Sequence, residues 1–196
     1  MANHRPNQIT MIRAVVFGAL AFVLVLRLAA TQAVVRAQDP VERGAYLAQV
    51  ASCAACHSPP DGPAFSGHVI EVNGQTFYSP NLSPHESGIG TWTDDEIAQA
   101  ITQGIQPDGE LLHPIMPYAN YAALSNADVM ALVGYLRSLP TVDAPPPFEN
   151  PAPPPDAIAV NRSPAVEAAP PDDVLASGQY LVDAIAACGA CHTPED

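Results

Sequence analysis

Gly44-Ala45-Tyr46-Leu47-Ala48-Gln49-Val50-Ala51-Ser52-Cys53-Ala54-Ala55-Cys56-His57-Ser58-Pro59 is the stretch that decides the fold. The segment from about Val41 to Ser52 predicts a helix that delivers the chain into Cys53. After it stand two thiols three residues apart, with an imidazole on the next residue. The same arrangement returns at the far end. Gly178-Gln179-Tyr180-Leu181 leads into Cys188-Gly189-Ala190-Cys191-His192-Thr193-Pro194. The second copy has one more residue between its glycine and its first cysteine. It is an internal duplication whose second half comprises only an opening helix and the Cys-x-x-Cys-His run.

Each run has a chemistry that needs all three residues. Two thiols on one helical turn can reach the two vinyl groups of a single haem and form thioethers, and the following imidazole then faces the iron from the same side. Covalent attachment lets a small domain hold a large cofactor without a large core. Ala54, Ala55, Gly189 and Ala190 are small, so a porphyrin can approach the backbone. Two alternatives compete. A dithiol redox site comes with a βαβ pattern that the sequence does not show. A zinc site would take two cysteines and a histidine from each copy. The pattern repeated in an exported chain points to haem first.

An electron-transferring haem iron needs a second axial ligand, whereas a catalytic one keeps that position open. Downstream of residue 37 there are two methionines, Met116 and Met130. Met130 follows Val129 in a helical segment and reads as packing. Met116 lies in Pro114-Ile115-Met116-Pro117-Tyr118, where prolines on both sides are expected to stiffen an extended loop. Met116 is therefore the favoured distal ligand. His113 is its rival, and His68 and His85 are further candidates that read as loop histidines. A His/Met iron is six-coordinate with a raised potential, which suits an electron carrier and not a catalyst.

The chain has 196 residues and a formal net charge of −13, from 20 acidic and 7 basic side chains. Every basic residue is Arg, and Arg5, Arg13, Arg27 and Arg36 precede the first acid, Asp39. So acidic a body excludes nucleic acid as a partner, because phosphates would be repelled. It is compatible with a basic docking partner, although a solvated face explains it equally. Arg5 and Arg13 precede an apolar run from Ala14 to Leu26, and small residues end the segment near Ala37. Residues 1–37 thus read as a secretory signal peptide or as an uncleaved membrane anchor. Either places the body on the outer, periplasmic side of the cytoplasmic membrane.

The middle, from Ser58 to Trp92, is rich in Pro, Gly, Asn and Ser and is expected to be loop. A second helix is expected to start at Thr93, with a capping box to Glu96 and Ile97, Ile101 and Ile105 on one face. Gly104 and Pro107 stop it. A third follows the N-cap Ser125, with Val129, Leu132, Val133, Leu136 and Leu139 on its apolar face and Pro140 at its end. Eleven of the 22 prolines then fall between Pro140 and Pro171, predicting an extended, semi-rigid linker.

These residues carry a family resemblance. Gly44-x-Tyr46-Leu47, Cys53-x-x-Cys56-His57, Ser79-Pro80-Asn81-Leu82-Ser83-Pro84, Gly88-Ile89-Gly90-x-Trp92-Thr93, Asp108-Gly109, Pro114-Ile115-Met116-Pro117-Tyr118 and Asp128-Val129 through Pro140 together resemble class I c-type cytochromes. Within that class they resemble the di-haem and multi-haem cytochromes that serve periplasmic dehydrogenases. The resemblance implies an all-α fold around covalently bound haem c. It implies His57 as proximal and Met116 as distal ligand, Trp92 against the haem, and a close helix crossing at Gly44 with Tyr135 packed there. The expected domains are 41–141 as a first cytochrome c domain, 142–174 as the Pro-rich linker, and 175–196 as the start of a second, incomplete one. About twenty residues cannot bury a haem alone, so the second site, with Cys188, Cys191 and His192, is expected to be completed by further chain or by a partner. The implied function is electron transfer between a dehydrogenase or quinol-oxidising complex and a downstream cytochrome or terminal oxidase, with redox proteins as donor and acceptor. A di-haem redox enzyme of peroxidase or thiosulfate-oxidising type, working at the second haem, is the alternative. The proline-rich segment would add reach between haem domains.

Overall fold

A computed structural model describes residues 39–162 and 173–192, with the side chains of Ala190 and Cys191 left out. The expected signal or anchor over residues 1–37 lies outside the described residues, as do residues 163–172 of the linker and 193–196. The described residues from Pro40 onward group into one compact unit. Among the described residues no helix is long and apolar enough to cross a membrane.

Helix α1 runs over Pro40–Val50. Proline at its first position costs nothing there, because that N–H has no intrahelical partner. A short helix α2, Cys53–His57, follows a reversal at Ser52, whose φ is 55°. Helix α3, Asp94–Gln103, starts with the anticipated capping box: the Thr93 hydroxyl accepts from the Glu96 amide, and the Glu96 carboxylate accepts from the Thr93 amide at 2.6 Å. It stops at Gly104, which is left-handed with φ 75°. After the single turn α4, Tyr118–Tyr121, helix α5 spans Asn126–Ser138. Its N-cap Ser125 accepts from the Asp128 amide at 3.1 Å.

Helices α1 and α5 cross at Gly44. A Cβ built there would lie 2.0 Å from the Ala131 carbonyl oxygen and 2.8 Å from Tyr135 Cβ. Only glycine lets the two backbones meet. Around the crossing lie two clusters, one of Leu47, Ala48, Tyr121, Leu124, Val129 and Leu132 joined by Ala184 and Ile185, the other of Phe65, Ile89, Ile97, Val133 and Leu136. Arg137 ties the loop before α3 to α5. It donates to the Ile89 carbonyl at 3.0 Å, to the Trp92 carbonyl, and to Asp94 at 3.0 Å.

The all-α expectation needs one correction. Inside the segment expected to be loop, strands β1, His68–Val72, and β2, Gln75–Ser79, pair antiparallel with Val72 opposite Gln75. The two-residue turn is Asn73-Gly74, with φ 51° and 78°. Positive φ at both positions matches the right-handed twist of the flanking strands, which is why Asn-Gly is a strong hairpin signal. Its β-branched and aromatic flanks, Val69, Ile70, Val72, Phe77 and Tyr78, complete the pattern.

The Pro-rich stretch over 142–162 forms no helix or strand, and it does not stand clear of the domain. The Val142 carbonyl accepts from Asn81 at 2.8 Å and from the Ser83 hydroxyl at 3.2 Å. Asn150 caps β2, donating to the Tyr78 carbonyl at 2.8 Å and accepting from the Tyr78 amide at 2.7 Å. The Val160 amide donates to the Gln103 carbonyl at 3.1 Å. Arg162 donates to the carbonyls of Ala122 and Leu124. Proline removes backbone donors, and the strap is held by carbonyls and side chains together with the amides of Val142, Ala144 and Val160.

After the strap comes helix α6, Val174–Tyr180, N-capped by Asp173 and continuing into one π turn, Leu181–Ile185. The last described element is α7, Gly189–His192. The π turn accommodates the extra residue of the second copy. In the first copy the Leu47 carbonyl accepts from Ala51, four residues on; in the second the equivalent Leu181 carbonyl accepts from Ala186, five residues on. Beyond it the register returns, and Ala187, equivalent to Ser52, has the same left-handed backbone with φ 50°.

Candidate functional site

Cys53, Cys56 and His57 occupy the one helical turn of α2. Ser52 ahead of them is in a conformation that costs a non-glycine residue about 1 kcal/mol, and the bend turns the chain from α1 into the site. None of Cys53, Cys56 and Cys188 is in a disulfide. Cys53 packs against both hydrophobic clusters, whereas Cys56 is exposed. Burial pushes the Cys53 thiol up to about 11. A thiol so disfavoured as thiolate is a poor attacking group for disulfide exchange. Among the described residues no group of three His, Cys, Asp or Glu side chains is placed to hold a metal ion, and the sheet is a single hairpin with no βαβ unit.

His57 is 7% exposed. Its Nδ1 lies 2.8 Å from the Pro80 carbonyl oxygen. A carbonyl only accepts, so Nδ1 carries the proton and Nε2 is left as the bare nitrogen. Burial lowers the imidazole's pKa, the Pro80 bond opposing it in part, and the ring stays neutral. A neutral imidazole oriented through its other nitrogen is the usual state of an iron- or zinc-ligating histidine. The Gly67 amide donates to the His57 carbonyl at 2.9 Å and the Ser58 hydroxyl accepts from the Phe65 amide at 2.8 Å. These bonds fold the following loop back onto the turn.

Met116 packs, partly buried, against the same cluster as Cys53. Its segment is a turn and not the extended loop its prolines suggested: the Met116 amide donates to the His113 carbonyl at 3.1 Å, and the Tyr118 amide to the Met116 carbonyl at 2.8 Å. His113 is engaged locally, its Nδ1 accepting from the Ile115 amide at 3.2 Å and its ring 4.7 Å from that of Phe77. His85 Nδ1 accepts from the Ser87 amide at 3.2 Å, and His68 lies on β1. Met130 is on α5 and 45% exposed, away from the core. Trp92 is half-buried against the second cluster. Cys188 and His192 are exposed on the second copy, and the Cys191 side chain lies outside the described residues.

Free thiols three apart on a helical turn, beside a neutral imidazole held through its far nitrogen, fit a covalently attached haem. A helical domain wound round such a turn defines a covalent haem carrier. The family model described as Cytochrome c matches residues 41–140, and the chain belongs to the cytochrome c family, with haem c as its cofactor. It is 36% identical to the gluconate 2-dehydrogenase cytochrome c subunit of Pantoea cypripedii over 93% of this chain and 43% of that one. It is 34% identical to the fructose dehydrogenase cytochrome subunit of Gluconobacter japonicus over 91% and 42%. It is 30% identical to a diheme cytochrome c-type protein of Cereibacter sphaeroides over 79% and 57%. The chain therefore spans about two fifths of the length of the first two. The diheme relative fits a second haem site. Similarity to cytochrome subunits of dehydrogenases supports an electron-transfer cytochrome.

Proposed function

We propose that this chain carries electrons between a dehydrogenase, or a quinol-oxidising complex, and a downstream cytochrome or oxidase outside the cytoplasmic membrane. The observation that carries the reading is the His57 imidazole held by Pro80 beside Cys53 and Cys56. Haem c supplies the one-electron iron couple. Cys53 and Cys56 would hold the macrocycle by thioethers, and its iron would be bound by His57. Its bond to Pro80 fixes the ring and raises its basicity. Met116 would provide the second ligand, a thioether carried on the Pro114–Tyr118 turn. With His57 and Met116 both engaged, the first site would suit electron transfer and not small-molecule activation. Cys188, Cys191 and His192 form the second attachment site, and residues 1–37 export the chain or hold it to the membrane. The acidic body favours a basic patch on the partner.

The test is carbon monoxide binding to the reduced protein. The first haem of the wild type should not bind it, and that of Met116→Ala should. Ready binding by the wild-type first haem would overturn the His57/Met116 assignment.

A further inference from the structure

The Tyr180 hydroxyl lies between two groups of the first domain. It accepts from the Ser125 amide at 3.0 Å and donates to Asp128 Oδ2 at 2.8 Å. Asp128 is 3% exposed and also receives a two-pronged bond from Arg43, at 2.8 and 2.9 Å. The Arg43 guanidinium stands 5.6 Å from the centre of the Tyr46 ring. Tyr46 and Tyr180 hold the same position in the internal repeat, so the two copies meet on one ion pair, the first through its ring and the second through its hydroxyl. One turn further on, Ala184 and Ile185 are 3% and 1% exposed, packed into the cluster of Leu47, Tyr121 and Leu124. The π turn directs these two side chains into the first domain, while Cys188 and His192 beyond it remain exposed. The segment thus has an anchored end and a presented end.

We propose that residues 174–186 are a permanent docking element of the second haem module on the first domain, and that Tyr180, through Asp128 and Arg43, is the positioning residue that fixes the separation and orientation of the two haems. The proposal rests on the reading that both Cys-x-x-Cys-His runs carry haem. Electron transfer between two irons falls steeply with their separation, so a fixed docking gives one rate where a free tether gives a spread. A hydroxyl bonded to a buried carboxylate is a charge-assisted bond, shorter and stronger than a neutral one. Its orientation requirement selects one seat for the helix, which apolar burial of Ala184 and Ile185 alone would not.

The experiment uses the full-length holoprotein in three forms: wild type, Tyr180→Phe and Ala184→Asp. Pulsed electron paramagnetic resonance measures the distance between the two ferric irons, and amide hydrogen exchange reports on residues 174–186. The wild type should give one narrow distance. Tyr180→Phe should keep two haems and an unchanged first-haem spectrum, yet show a broader distance and about tenfold faster exchange in that segment, the loss expected for one charge-assisted bond. Ala184→Asp should release the segment outright. The same narrow distance in both variants, or wild-type exchange as fast as an unfolded segment, would overturn the docking. If only one haem is attached, the two-haem reading fails, and hydrogen exchange alone still decides whether the segment is docked.

Discussion

His57 keeps one nitrogen occupied and the other bare. The Pro80 carbonyl accepts the hydrogen bond from Nδ1–H, and burial favours the neutral ring. The cysteines, His57 and Met116 were legible as candidates because their types and spacing carry the chemistry. Pro80 was not, since a backbone carbonyl brought in by the fold has no code of its own. The turn at Met116 was misread for a related reason: prolines on both sides promise stiffness but do not choose between a turn and an extended loop. At this scale the prediction concerns the sulfur proposed as second ligand. Met116→Ala should lower the reduction potential of the first haem, because thioether ligation raises it; a redox titration against the wild type measures the difference. Tyr180 should titrate late. Burial, with the Asp128 bond adding to it, pushes its hydroxyl up to about 12, above the usual tyrosine value of about 10. The stability this group contributes is present below about pH 10 and is lost as pH rises toward 12. An ultraviolet tyrosinate titration of wild type minus Tyr180→Phe should show one group ionising near the upper value.

Among the elements, helices α3 and α5 of the first domain were readable because caps, stops and apolar spacing agree. Thr93 with Glu96, Gly104, and Ser125 with Asp128 stand where those signals placed them. Asn73-Gly74 announces the hairpin, but the Pro, Gly and Ser content of Ser58 to Trp92 masks a two-residue signal. The π turn could be anticipated only as a one-residue mismatch between the copies, since nothing local says how a helix absorbs an insertion. Two substitutions test this level. Gly44→Val should cost about 3 kcal/mol or more, because the α1–α5 crossing leaves no room for a side chain; chemical denaturation of the holoprotein measures it. Thr93→Ala removes the capping box and should cost about 1 kcal/mol, read in the same way.

Over the whole molecule, one ion pair connects what the sequence separates. Asp128 serves α5, α1 through Arg43, and the second copy through Tyr180. The strap from 142 to 162 ends with Arg162 on the carbonyls of Ala122 and Leu124, beside that same corner. Composition identified this stretch as a proline-rich connection, but its bonds to Asn81, Ser83 and Tyr78 depend on distant residues and were invisible. Asp128→Ala leaves Arg43 and the Tyr180 hydroxyl without their acceptor and should destabilise the protein by about 3 kcal/mol, with loss of protection in residues 174–186 by hydrogen exchange. The duplication reaches into the backbone: the two Cys-x-x-Cys-His runs follow the same reversal at Ser52 and Ala187, with φ 55° and 50°. Its most direct test is the intact mass of the protein produced in a host that attaches haem. Two covalent haems are expected, falling to one when Cys188 and Cys191 are both replaced by Ala, and to one when Cys53 and Cys56 are. A wild-type mass with no haem, or with a single haem that persists in both double variants, would contradict it.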